Sequence, residues 1–304
     1  MNATTPDRSH ILTEQRLYES MNLDTMDLAD AVALMNRQDQ LAMLAVATQQ
    51  EPIARAVERV VESFRAGGRL IYVGAGSSGR LGVLDAAECP PTFRTDPAMV
   101  LGILAGGPEA MFKAKEGAED RPEAGAAAME EAKVGPADLV LGIAAGGTTP
   151  FVQGALIRAR ALGAGTVFLS CAQPFANEAP VDIVIRPLTG AEVLTGSTRL
   201  KAATATKIVL NTITTLAMVR MGKVYENLMV DLKASNDKLR DRAARIVIAL
   251  TGLAKTDALE LLQRADGQVK TAIVMHHRNI DPSAALEMLN RHGGHLRQAL
   301  RDRL

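Results

Sequence analysis

The sequence has no tryptophan, and aromatic residues make up only 3% of its 304 positions. Platforms for stacked bases are therefore scarce, which argues against single-stranded nucleic acid as a partner. Neither sign of charge is in excess, since 34 Lys and Arg balance 34 Asp and Glu. A net charge of zero supplies no field to draw in a phosphate backbone or an anionic membrane surface. Two cysteines are present, Cys89 and Cys171, far apart and without a CxxC spacing. Neither a zinc site nor a disulfide framework follows from them, and a reducing cytoplasm is the expected compartment. The longest apolar runs, such as 138–145, are strand-sized and far short of the ~20 residues of a membrane span. Residues 1–16 lack an apolar core, so no signal peptide is expected. The five histidines sit toward the chain ends with no metal-ligand spacing to carboxylates, so neither metal nor cofactor is expected.

What is there is globular. Hydrophobic residues reach 47% and charged residues 22%, an ordinary balance for a folded chain. The length suits one large domain plus a small appendage. Leu23-Asp24-Thr25-Met26 reads as a turn into a helix. Residues 36–66 carry Leu41, Leu44, Ile53, Val57, Val60, Val61 and Phe64 at helical spacing, ending at Gly67-Gly68. Apolar strands are predicted at 69–73, 100–105, 138–144, 165–170 and 181–185, with helices over about 108–133 and 150–162 between them. Such alternation implies a doubly wound parallel sheet covered on both faces. A helix without Gly or Pro runs from Thr198 to Met221, and another covers about 236–250. Three short helical segments follow over 255–304, punctuated by Gly267, Asp281-Pro282 and Gly293-Gly294. The division drawn from this is a catalytic domain at 1–240, with a helical N-terminal extension, and a small helical domain at 241–304.

The first strand runs into Gly74-Ala-Gly-Ser-Ser-Gly79. That satisfies GxGxxG, a weak signal on its own for a dinucleotide. A dinucleotide site also wants an acid at the end of the second strand to hold the ribose. Here that strand ends Leu104-Ala105-Gly106-Gly107, and Asp96 stands at its wrong end. The turn offers two hydroxyls instead. Ser77, Ser78, Thr148, Thr149, Ser197 and Thr198 all fall at strand ends or helix starts. Each alone is best read as a helix cap. Three clusters on the carboxyl edge of one sheet together suggest a pocket for a phosphate monoester, with Gly76 and Gly147 in its turns.

Further residues carry a resemblance. The run from Ile71 to Thr92, containing Gly-Ser-Ser-Gly-Arg and Glu88-Cys-Pro-Pro-Thr92, resembles the signature of the N-acetylmuramic acid 6-phosphate etherases. Gly117-Ala-Glu-Asp120, Glu192-Val-Leu-Thr-Gly-Ser-Thr-Arg-Leu-Lys201 and Gly222-Lys-Val-Tyr-Glu-Asn-Leu-Met-Val230 extend it. So do Thr13-Glu-Gln-Arg16 with Leu23-Asp24 at the start, and Val269-Lys270, Ala272–Met275 and Gly293-Gly294 at the end. The resemblance spans nearly the whole chain. It implies an SIS (sugar isomerase) fold with a small UBA-like helical C-terminal domain. It also implies a cytoplasmic homodimer acting on a small amino sugar phosphate in cell-wall recycling, without metal or cofactor. Departures lie near the expected site. Ala145-Gly146-Gly147-Thr148-Thr149-Pro150 stands where the family usually has Ala-Ser-Gly-Arg-Thr-Pro, losing a serine and an arginine. Ala202-Ala-Thr-Ala-Thr-Lys207 replaces Ala-Gly-Thr-Ala-Gln-Lys, and Leu17 stands where Asn is usual.

The chemistry implied is cleavage of the C3 lactyl ether. Lactate is a poor leaving group, but in the open-chain sugar the C2 proton is acidified by the aldehyde. Removing it lets lactate depart from C3, and water then adds back. One base near C2 and one acid near the ether oxygen suffice. The resemblance places the acid on Glu88 and the base on Glu119, with the assignment of the two roles its weaker part. Taken by itself, Glu119 in Lys115–Arg121 reads as a solvated helix face. Glu88, flanked by Ala86-Ala87 and Cys89-Pro90-Pro91, has no obvious surface partner. Glu192, Ser197, Thr198 and Lys201 complete the expected binding set, and Arg199 or Lys201 suits an anion as well as it suits water. A sugar-phosphate isomerase, or a regulator resembling glucokinase regulatory protein, is the alternative.

Overall fold

The computed structural model describes residues 8–232 and 237–302. Contacts divide the chain into two compact units, one of residues 1–86 and 98–214, the other of 87–97 and 215–304. The sequence division at 240 places Thr215–Arg240 and Ala87–Pro97 differently.

The first unit is built on five parallel strands: β1 (Leu70–Gly74), β2 (Val100–Leu104), β3 (Leu139–Ile143), β4 (Gly165–Leu169) and β5 (Ile183–Ile185). Their order is β2-β1-β3-β4-β5. β1, β3 and β4 are buried along their whole length, which is why they read as unbroken apolar runs rather than alternating ones. The order reverses beside β1, where Gly74 pairs with Ile143 of β3 and Leu104 of β2. Two neighbouring strands leave that point in opposite directions, opening a crevice at their carboxyl ends.

Helices cover the sheet. α1 (Leu28–Ala47) and α2 (Gln50–Arg65) replace the single helix expected over 36–66. Pro52 explains the break. It lacks the N–H that would bond the carbonyl of Thr48, and its ring would clash there. α3 (Gly76–Phe93) follows β1, α4 (Pro122–Glu131) precedes β3, and α5 (Pro150–Ala161) joins β3 to β4. The helix expected over 108–133 is interrupted. Two 3-10 turns, Pro108–Met111 and Ala118–Asp120, come first, and only α4 is a true helix. Gly117 at φ 75 lies between them, a left-handed conformation that ends a helical run. α6 (Lys201–Arg220) is long and apolar enough to cross a membrane by composition, but half of that window is buried inside the protein, as in a core helix.

In the second unit, α7 (Asp237–Thr251), α8 (Lys255–Arg264), α9 (Val269–Arg278), α10 (Pro282–Arg291) and α11 (Leu296–Arg301) form a helical core. Among its described residues the last stretch thus holds four helices, α8 to α11, where three were expected. Val247, Ala272, Ile273, Val274 and Ala285 are fully buried there. Asp281 caps α10 through bonds from the Ser283 and Ala284 N–H groups. Lys270 is held by the Gly222 and Gly294 carbonyls and by Asp231.

Candidate active site

The crevice beside β1 holds a cavity of about 420 Å³. One wall is the start of α3, with Gly76, Ser77, Ser78 and Arg80. The glycines of this turn are dictated by proximity. A Cβ on Gly79 would lie 2.4 Å from Leu104 Cδ1 and 2.6 Å from the Gly74 carbonyl oxygen. Only bare backbone lets the helix start this close to the strand end, and this first turn with its two hydroxyls lines the cavity. The second wall follows β3, with Ala145, Gly146, Thr148 and Thr149. Pro150 opens α5 there, costing nothing because its missing N–H would be unpaired anyway. The third wall is the segment after β2, with Ala110, Lys115, Glu116 and Glu119. Gly196 and Thr198 close a further side, and Arg8, Ile11 and Glu14 of the N-terminal arm complete it.

Of the residues selected from sequence, Gly76, Ser77, Ser78, Thr148, Thr149, Thr198 and Glu119 line this cavity. Gly147, Ser197, Glu192, Lys201 and Glu88 do not. The Gly147 carbonyl accepts from Gln153 Nε2 at 2.8 Å, which shapes the turn from behind. Glu192 is fully buried. Its two carboxylate oxygens accept from the backbone N–H groups of Lys201 and Ala202, both at 3.0 Å. It therefore caps α6, where a negative charge suits the helix start. Burial pushes its carboxyl above the ordinary range, against those two hydrogen bonds. Lys201 Nζ donates to Gln38 Oε1 at 2.6 Å, and Gln38 in turn donates to Glu19. Burial pulls the Lys201 ammonium below its ordinary value.

Glu88 is exposed and lies inside α3, which runs on through Pro90 and Pro91 rather than stopping short. Twelve residues separate it from Gly76, about 18 Å of helix at 1.5 Å per residue. Sequence reasoning passed over Arg8, Glu14, Arg80, Lys115 and Glu116. Glu14 and Arg80 lay within the quoted resemblance, and that was the signal for them. Both cysteines are buried and neither is in a disulfide, and desolvation pushes the Cys171 thiol up to about 12, so Cys171 is no nucleophile. Among the described residues, no group of three His, Cys, Asp or Glu side chains is placed to hold a metal.

A five-stranded parallel sheet with a crevice at its switch point is the architecture of an SIS domain. Residues 52–160 match the family model described as the glucokinase regulatory protein N-terminal SIS domain. The chain is 52% identical over 302 residues to the N-acetylmuramic acid 6-phosphate etherase of Gloeobacter violaceus, covering 99% of this chain and 98% of that one. It is 51% identical over 298 residues to the same-named protein of Picosynechococcus, covering 97% and 98%. A solved phosphoheptose isomerase from Francisella tularensis aligns with a TM-score of 0.45 at 16% identity, over 63% of this chain and 97% of that one. The chain belongs to the N-acetylmuramic acid 6-phosphate etherase family.

Proposed function

We propose that this chain cleaves the D-lactyl ether of N-acetylmuramic acid 6-phosphate, giving N-acetylglucosamine 6-phosphate and D-lactate, a step in recycling cell-wall amino sugars. The observation that carries this reading is the cavity itself, which two hydroxyl-bearing helix starts and Glu119 line together. The 6-phosphate sits against Ser77, Ser78, Thr148 and Thr149, held by hydroxyl and backbone donors without a lysine. Glu119 takes the C2 proton of the open-chain sugar. The C3–O bond breaks with its electron pair going to lactate, which Glu88 protonates. Glu88 then deprotonates water for addition at C3, and Glu119 returns its proton to C2. Lys115 and Arg8 are the cavity cations suited to the lactyl carboxylate.

Glu88 does not line the cavity of its own chain. The proposal is therefore a homodimer in which each cavity takes Glu88 of the partner subunit. α1 supports it, since Leu28, Val32, Met43 and Leu44 are exposed at 81%, 52%, 61% and 65%, an apolar surface of the kind subunits cover. Gly147, Ser197, Glu192 and Lys201 shape the site from behind. Cytoplasmic residence is part of the same proposal, supported by two cysteines that form no disulfide.

The test is incubation with N-acetylmuramic acid 6-phosphate in heavy-oxygen water, followed by mass spectrometry. Lactate, with one solvent oxygen at C3 of the product, is the expected result. A folded protein that binds the sugar phosphate but releases no lactate would favour the isomerase or regulator reading.

A further inference from the structure

Arg80 opens the second turn of α3, just after the two serines, and lines the cavity. Its guanidinium is bonded to main-chain carbonyls of the segment after β2. Nε donates to the carbonyls of Ala110 and Met111 at 3.1 and 3.0 Å, and Nη2 donates to Ala110 at 2.8 Å. Those carbonyls end the 3-10 turn Pro108–Met111, where a cation is favoured and the oxygens lack partners within the turn. The segment beyond is folded on itself. Lys115 pairs with Glu109 at 2.9 Å. A Cβ on Gly106 would meet the Lys115 stem at 3.1 Å and Ala110 Cβ at 3.3 Å. At its far end stands Glu119. Ala118, beside Glu119, packs on the apolar core that includes Phe151 and Val152 of α5, and Arg80 supplies side-chain bonds from α3 to the 108–111 turn.

We infer that Arg80 is a positioning residue for Glu119: a strut that fixes the segment carrying the C2 base to the turn that holds the phosphate. This rests on the etherase reading of the site. With the phosphate seated at Ser77 and Ser78, C2 of the sugar stands at a set reach from that turn. A base on an unclamped loop would sample many distances, and misplacement by about 1 Å costs about 100-fold in rate. A planar fork spanning two successive carbonyls does what a lysine, with one point of attachment, does not.

The test compares Arg80→Lys and Arg80→Ala with the wild type. Lactate release, binding of N-acetylglucosamine 6-phosphate and amide hydrogen exchange over residues 106–121 are measured together. Expected are a fall in kcat of about 100-fold, product affinity within about threefold of wild type, faster exchange confined to 106–121, and partial recovery of Arg80→Ala by added guanidinium ion. Weakened product binding with kcat unchanged would overturn the inference and make Arg80 a phosphate ligand. Unaltered exchange and kcat would overturn it outright. Should the wild type release no lactate, the etherase reading fails by itself, and the exchange measurement still decides whether Arg80 holds the segment.

Discussion

The two ends of the same strands, β1 and β3, are built on opposite principles. At their amino ends Asp138, Arg69 and Ser63 are matched with one another's backbone and side chains or their neighbours'. Asp138 accepts from Arg69 N, Nε and Nη2 at 2.9, 3.0 and 2.7 Å and from the Gly135 N–H at 3.0 Å. Ser63 Oγ donates to the Ala137 carbonyl at 2.6 Å. At their carboxyl ends, 14 Å or so away by strand rise, the chain leaves glycines, hydroxyls and a cavity. The Thr13 Oγ1 beside Gly146 is buried there with no hydrogen-bond partner. One edge holds the sheet together, and the other keeps donors free for a ligand. Changes at the amino edge should therefore move stability and spare catalysis, and changes at the carboxyl edge should do the reverse.

The largest expected effect is at Glu119. Glu119→Gln should lower kcat by about 1,000-fold, with the melting temperature unchanged, as steady-state kinetics and calorimetry would show. Next is a residue on the catalytic edge that should behave like the other edge. Gly79→Ala forces a Cβ against the Gly74 carbonyl and Leu104, and urea unfolding should show a loss of about 3 kcal/mol. If Gly79→Ala is as stable as wild type, the close approach of α3 to β1 is wrong.

Asp138→Asn should cost about 2 kcal/mol and leave kcat intact. Its carboxyl is held below the ordinary range: burial alone would raise it, and the Arg69 and Gly135 hydrogen bonds and the Arg69 charge outweigh that. A depressed folded value means stability present above the unfolded pKa and lost as pH falls through the folded one. The wild type should thus lose stability in acid, below the ordinary aspartate range, more steeply than Asp138→Asn. The smallest effect is at Gly146, where a Cβ would meet nothing nearer than Thr13 Oγ1 at 3.4 Å. Gly146→Ser restores the residue usual in the family. It should shift stability by less than about 0.5 kcal/mol and lower KM, by giving Thr13 a partner and the phosphate another donor.

Which parts were legible from sequence follows from where the signal lies. The five strands were plain because each is buried on both faces, and the hydroxyl clusters were plain because strand ends in a parallel sheet converge. Breaks inside helical stretches were not. Pro52, Gly117 and Pro122 each look tolerable to a periodicity count, yet they divide α1 from α2 and leave Glu119 on a short turn. Glu192 and Lys201 enter the binding set only through the resemblance, and the contacts the structure gives them, one capping α6 and the other bonding Gln38, leave no mark in the sequence. For Arg80 the resemblance marked the residue but not its task, since its partners are main-chain carbonyls thirty residues on, and a carbonyl leaves no mark in a sequence.

The most direct test of the account follows deuterium entering C2 of N-acetylglucosamine 6-phosphate in heavy water, for the wild type, Glu119→Gln and Glu88→Gln. With Glu119 as the C2 base on the cavity wall, the wild type and Glu88→Gln should both exchange that proton, and Glu119→Gln should not. Exchange that survives in Glu119→Gln and vanishes in Glu88→Gln would contradict the account and move the base to the other glutamate.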